Sequence, residues 1–220
     1  ILYGASEEMG AAMASTFDIL TRNALIGGNS VMYAPKLSAD GAETEVTTRS
    51  GVTSQCLMTP KVVNRAATWL KKNKAPKIDG YYVAIIHPYV AYDLMRDEEW
   101  IEAHKYAQPE NLYTGEIGKV AGVRFVQSSE AAIIKDSTCP TGLAVFCTLV
   151  FGDGAYGVTE ITGGGLQTIV KQKGSAGTAD PLDQRSSVGW KALKTAERLV
   201  ENYLVRIESC GDFSASSAAN

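Results

Sequence analysis

Two histidines and four cysteines among 220 residues leave little material for a metal centre or an acid–base pair. The cysteines, Cys56, Cys139, Cys147 and Cys210, form no C-x-x-C pair and have no histidine at ligand spacing, which excludes a zinc ribbon. Reduced, buried thiols are expected. No signal-peptide pattern opens the chain, so a reducing compartment of origin is expected. No apolar stretch approaches the roughly 20 residues that cross a bilayer. The longest apolar runs, residues 81–86 and 143–151, have strand length. Excess positive charge is lacking too. Lys+Arg number 21 and Asp+Glu 24, a formal charge of −3, which argues against a surface that wraps nucleic acid electrostatically. What is present, 45% hydrophobic and 20% charged residues, belongs to a globular chain rather than a disordered one. The length suits one good-sized domain or two small intimate ones.

Residues 1–26 read as one long helix, with Leu2, Ala5, Met9, Met13, Phe17, Leu20 and Ala24 along one stripe. Gly27-Gly28 is expected to stop it through the left-handed conformation that glycine tolerates. The first residue is Ile1 rather than Met, and a missing natural N-terminus is expected. Residues 29–55 are polar and rich in Thr, Ser and Gly, which predicts an extended excursion of short strands and loops. Thr59-Pro60 opens a second helix, Thr as N-cap and Pro at the first helical position, with Val63, Ala66, Ala67 and Leu70 buried. The continuous apolar run 81–86 predicts a central strand, and strands are also expected at 123–126, 143–151 and 166–172. Between them, Pro88 starts a short helix and Asp97 caps another. Residues 190–208 fit two periods: Leu193, Ala196, Leu199, Val200, Tyr203, Leu204 and Ile207 fit a helix, whereas Tyr203, Val205 and Ile207 alternate as in a strand. Periodicity alone favours the helix slightly. The tail 211–220 is small and polar and is expected to fray.

Each candidate for chemistry has a plainer reading. His87 ends a buried strand just before Pro88, where a base could sit, but a histidine hydrogen-bonded into the turn is preferred. His104 lies beside Lys105 on an expected solvated helix face. Asp97-Glu98-Glu99 lacks the spacing of a calcium loop and suits a helix start. Gly163-Gly164-Gly165 is followed by a strand with no lysine in place, unlike a phosphate loop. Gly152-Asp153-Gly154 reads as a tight turn, and residues 71–77, with four lysines, as a solvated helix end. No nucleophile with its base emerges, so no catalytic residue, metal ligand or cofactor is expected.

Several segments in order carry a resemblance. They are Asp79-Gly80-Tyr81-Tyr82-Val83-Ala84-Ile85-Ile86-His87-Pro88, Ala91-Tyr92-Asp93-Leu94, Glu99-Trp100-Ile101-Glu102-Ala103, Gly115-Glu116-Ile117-Gly118 with Val123-Arg124-Phe125-Val126, and Ala155-Tyr156-Gly157-Val158. The run from Gly163 through Asp183-Gln184-Arg185-Ser186-Ser187-Val188-Gly189-Trp190-Lys191 to Val205-Arg206-Ile207-Glu208 completes them. Together they resemble the major capsid proteins of tailed bacteriophages, in the N-four-like branch of the Hong Kong 97-type fold.

The resemblance implies an α+β shell subunit, not an enzyme, with a long spine helix, a peripheral domain of extended strands and a mixed α/β axial domain. It implies that residues 1–54 hold the spine helix and an extended segment of the peripheral domain, and 55–150 the axial domain. Residues 151–210 would return to the peripheral domain, with a protruding loop at 173–187, and 211–220 would be a flexible tail. It favours strands on both sides of Leu199. The family's N-terminal arm and extended hairpin loop are missing ahead of the helix, which puts independent shell closure in question. Asp180, Asp183 and Arg185, with Glu197 and Arg198, are the expected intersubunit contacts, each worth about 0–1 kcal/mol where exposed. Implied partners are further copies in pentamers and hexamers, scaffolding and portal proteins, and packaged DNA touched non-specifically. No membrane is implied. The implied setting is the virion, after assembly in the host cytoplasm. Two other readings remain: a shell that houses protein cargo, as in encapsulins, and a small-molecule enzyme with a site near His87 and the 115–122 turn.

Overall fold

Seven residues in a row, Val145–Phe151, all apolar except Thr148, make a strand buried at every position, and the fold is built outward from it. The computed structural model describes residues 2–38, 41–107, 118–159, 164–175, 182 and 184–220. In chain order the elements begin with helix α1 (Leu2–Ile26), strands β1 (Val31–Tyr33), β2 (Lys36–Leu37) and β3 (Glu43–Thr44), and helix α2 (Pro60–Lys72). There follow β4 (Tyr82–Ile86), α3 (Pro88–Arg96), α4 (Glu98–Ala107), β5 (Lys119–Val120), β6 (Val123–Gln127), β7 (Ile133–Ile134) and β8 (Val145–Phe151). The last strands are β9 (Tyr156–Val158), β10 (Gln167–Lys171), β11 (Ser187–Lys191), β12 (Ala196–Arg198) and β13 (Leu204–Ser209). Two compact units arise: one from Arg22–Gly157 with Arg198–Asn220, the other from Ile1–Thr21 with Val158–Glu197.

The larger unit holds a sheet in the order β1-β13-β8-β4-β6-β5, with β7 beside β8. Pairs β1–β13 and β4–β6 are parallel and the other pairs antiparallel. Strand β4 is interior, as its apolar run requires. Its alternation divides the core: Tyr82, Ala84 and Ile86 join the cluster under α2, while Val83 and Ile85 join Leu25, Leu149, Phe151 and Leu204 on the other face. Helix α2 contributes Val62, Val63, Ala66, Ala67 and Leu70, the expected face plus Val62. Each fully buried Val or Leu side chain contributes about 1.5–3 kcal/mol. The thiols of Cys56, Cys139, Cys147 and Cys210 are free, and all but the half-buried Cys139 are buried.

Four expectations are corrected. Gly27 and Gly28 do end α1, but neither takes a positive φ. They are small because a Cβ at Gly27 would stand 2.9 Å from Arg198 Nη1, and one at Gly28 2.6 Å from Glu201 Oε1. Thr59 occupies the N-cap position of α2, yet its hydroxyl makes no cap bond and is buried without a partner. Residues 190–208 are not the helix that periodicity slightly favours but carry the strands that the resemblance favours on both sides of Leu199: the end of β11, β12, a 3-10 turn at Glu201–Tyr203 and β13, because pairing with β8 buries every residue of β13. The tail is docked rather than frayed. Ala144 N–H donates to the Ala215 carbonyl at 2.7 Å, and Asn220 Oδ1 accepts from Ile133 N–H at 2.9 Å.

The expected domain limits at 54/55 and 150/151 set β1 and β13 apart from β4 and most of β8, all strands of this one sheet; the compact units divide instead at 21/22, 157/158 and 197/198. In the smaller unit β10 and β11 pair antiparallel, from Gln167 opposite Lys191 to Lys171 opposite Ser187. There Phe17 of α1 meets Trp190 with ring centres 5.9 Å apart, and Lys194 Nζ lies 4.9 Å over the Phe17 ring. Of the expected α1 stripe, Leu20 is exposed.

Candidate functional site

His87 is the residue on which an enzyme reading depends, and its geometry is that of a helix cap. Its Nδ1 accepts from Tyr89 N–H at 3.2 Å, and its ring packs between those of Tyr89 and Phe146 at 4.8 and 5.2 Å. Burial pushes its pKa below the ordinary value, so the neutral imidazole that can accept this bond is the favoured form. The acidic run is equally structural: Asp97 Oδ1 accepts from Glu99 N–H at 2.9 Å at the start of α4. Gly152-Asp153-Gly154 forms the expected turn, with Gly154 at φ +68° and its N–H donating to Asp153 Oδ1. Among the described residues, no three His, Cys, Asp or Glu side chains gather where they could hold a metal ion. Also among them, no helix is long and apolar enough to cross a membrane.

Of the residues expected at subunit contacts, Asp180 and Asp183 lie outside the described residues, as does Gly163 of the triple glycine. Arg185 and Glu197 are exposed in the smaller unit. Arg198 belongs to the larger unit and is engaged within the chain. Its Nε pairs with Glu201 Oε2 at 3.1 Å, and its Nη1 donates to the Ala24 carbonyl at the end of α1. Glu201 Oε1 in turn accepts from Asn29 N–H at 2.5 Å and Ser30 N–H at 3.2 Å. Burial raises the Glu201 pKa, but those two N–H groups and Arg198 outweigh it and hold the carboxylate below its usual range. The pair thus fastens the C-terminus of α1, where free carbonyls need donors.

A second charged group was not singled out from the sequence. Glu208, fully buried on β13, receives Arg49 Nε at 2.8 Å and Nη2 at 2.7 Å, and Arg206 Nε at 2.8 Å. Arg49 also reaches Thr138 Oγ1 at 2.9 Å. The bidentate bond that Arg49 donates to the Glu208 carboxylate raises the Arg49 pKa. The signal was the i, i+2 spacing of Arg206 and Glu208, which shares a face only in a strand; the helical reading of 190–208 concealed it.

The β10–β11 ribbon leaves apolar side chains exposed. All five residues of β10 are exposed, Ile169 by 41% and Val170 by 46%, and Leu166 just before it by 51%. Beside it lies a cavity of about 360 Å³ lined by Phe17, Val158, Leu166 and Leu193 among others.

The fold has close relatives in shape. The capsid chain of Cyanophage P-SCSP1u superposes with a TM-score of 0.65 at 17% identity, covering 96% of this chain and 66% of that one. The capsid chain of Helicobacter pylori bacteriophage KHP30 gives 0.64 at 12% identity, covering 94% and 68%. A chain of Mycobacterium phage Che8 gives 0.63 at 13% identity, covering 94% and 63%. This chain therefore spans about two thirds of the length of such structures. At these identities the likeness is one of fold, and it is the Hong Kong 97-type capsid fold. No curated protein matches the sequence. The family model for phage capsid proteins matches residues 9–171, well over half of the sequence, and the chain belongs to that family.

Proposed function

We propose that this chain is a major capsid subunit that assembles with copies of itself into the icosahedral head shell enclosing phage DNA. The observation that carries the reading is the β10–β11 ribbon. A two-stranded ribbon is marginally stable alone in water, and this one exposes Leu166, Ile169 and Val170. A neighbouring subunit would bury those side chains, and weak contacts repeated around a closed shell sum through multivalency. On this reading the ribbon and the first part of α1 lie in the peripheral domain, and the sheet around β4 and β8 with α2, α3 and α4 forms the axial domain. The function asks for no proton transfer, and the Nδ1 of His87 is engaged by Tyr89 N–H as a helix cap. Scaffolding and portal proteins would be assembly partners in the host cytoplasm. DNA would be held by enclosure rather than read, in keeping with the charge of −3.

The test is electron microscopy of the protein expressed from its full reading frame with its scaffolding protein, beside a double variant Ile169→Lys/Val170→Lys. Closed shells are expected from the parent and none from the variant, whose circular dichroism stays that of the parent. Persistent monomers from the parent would overturn the reading, and shells of the variant would remove the ribbon from it. Nucleic acid inside the shells separates a DNA container from a cargo compartment.

A further inference from the structure

The tail lies across the end of α3, and what it covers there is a carboxyl group. Asp93 is only 8% exposed, and its Oδ2 accepts from Asp212 N–H at 3.0 Å. Next to that bond Phe213 stacks on Tyr89, with ring centres 4.7 Å apart and planes at 27°, and meets Tyr92 edge-on at 5.4 Å. Ala215 and Ser216 then accept from Ala144 N–H at 2.7 Å and Lys135 Nζ at 2.9 Å. We propose that residues 212–216 form a strap that closes over Asp93 and is held more tightly in mild acid than at neutral pH.

The reason is the desolvation of Asp93. A carboxylate given one backbone N–H and little water is poorly compensated, and the neutral acid is the cheaper species to bury. Burial accordingly raises the Asp93 pKa from an ordinary 3.8 to about 6. The groups facing it act in both directions: Asp212 N–H and Arg96 favour the anion, whereas the Asp212 carboxylate disfavours it. The Cys210 thiol, also near, is pushed up by its own burial. Arg96 and Asp212 are 3.7 Å apart with both side chains largely in water, so their pair holds the strap weakly at any of these pH values. When the strap lifts, water reaches Asp93 and its pKa returns toward the ordinary value. The closed state then binds more protons than the open one between those two values. Closure is therefore favoured as pH falls through about 6 and gains roughly tenfold between pH 7.5 and 5. His87, which caps the same helix, works with the opposite sign. Its pKa is lowered by burial, so acid tends to charge it and break its bond to Tyr89 N–H.

Native-state hydrogen exchange in the intact chain, corrected for intrinsic exchange rates, reads strap opening directly at the amides of Asp212, bonded to Asp93, and Ala144, bonded to Ala215. Protection is expected to rise about tenfold from pH 7.5 to pH 5, with the rise setting in near 6. Asp93→Asn keeps an acceptor but cannot titrate, and its protection should be flat or fall in acid because His87 alone remains. Phe213→Ala should lower protection at both pH values while keeping the acid-induced rise, which serves as the control should Asp93→Asn fail to fold. Equal protection of the parent at the two pH values, or an acid-induced rise that survives in Asp93→Asn, would overturn the proposal.

Discussion

Glu208 shows what a single buried charge demands of its surroundings. Its side chain has no exposure, and two guanidinium groups supply three hydrogen bonds, two from Arg49 and one from Arg206. Removing one member of such a group leaves uncompensated charge in the interior. Glu208→Ala is expected to destabilise the fold by about 3–5 kcal/mol, measured by urea unfolding, because it strands Arg206 at 8% exposure. A loss under about 1 kcal/mol would mean that water already solvates the site. Glycine positions offer a comparison of a different kind. A Cβ at Gly152 would stand 2.3 Å from the Pro76 carbonyl oxygen, which is backbone, whereas one at Gly28 would meet the end of the Glu201 side chain at 2.6 Å. Gly152→Ala should therefore lower the melting temperature more than Gly28→Ala. The second change forces Glu201 off Asn29 and Ser30 at a cost of about 1 kcal/mol, like other lost helix-terminus bonds.

Among the elements, the contrast between β8 and β10 is the informative one. Both are strands, but β8 is buried at all seven positions and β10 at none of its five. Opening free energy follows buried apolar contact, so amides of β10 and β11 should exchange orders of magnitude faster than those of β8 in the unassembled chain. The same amides should become protected in assembled shells, which hydrogen exchange by mass spectrometry would reveal; unchanged exchange on assembly would show that the ribbon is not an interface. Helices α2 and α3 illustrate elements whose ends were legible. Pro60 and Pro88 each occupy the first turn, as the fixed φ of proline favours. The cap of α3 is His87 itself. The 190–208 segment was not legible by periodicity. Its apolar spacing satisfies both a helix and a strand, and the choice was made by the unpaired edge of β8, which β13 covers from Leu204 opposite Phe151 to Ser209 opposite Phe146.

At the scale of the whole molecule, a shell subunit is judged by how it meets its copies. Asp183 and Arg185 sit in the segment between β10 and β11, and our reading places that segment at a subunit boundary. Reversing either charge alone is expected to reduce the yield of shells seen by electron microscopy, and swapping both should restore part of it. Normal yields from both single variants would take the pair out of the interface. Exposed ion pairs contribute little energy, so such charges set register more than strength. Sequence alone determined much of this protein. Its length and composition required a packed core, and its apolar runs fixed β4 and β8. Proline and glycine placed α2, α3 and the turns, and ordered motifs from Asp79 to Glu208 pointed to the capsid fold. These are local signals, carried by neighbouring residues whatever the rest of the chain does. Tertiary structure alone decided the sheet order, which joins β1 and β13 to β8 and β4 across wide gaps in sequence. It also brought Arg49 to Glu208 across 159 positions and Arg198 to Ala24 across 174, and it laid a polar tail over Asp93. Those outcomes rest on which distant surfaces meet, since a buried charge or an unpaired strand edge finds its partner only once the chain has folded around it.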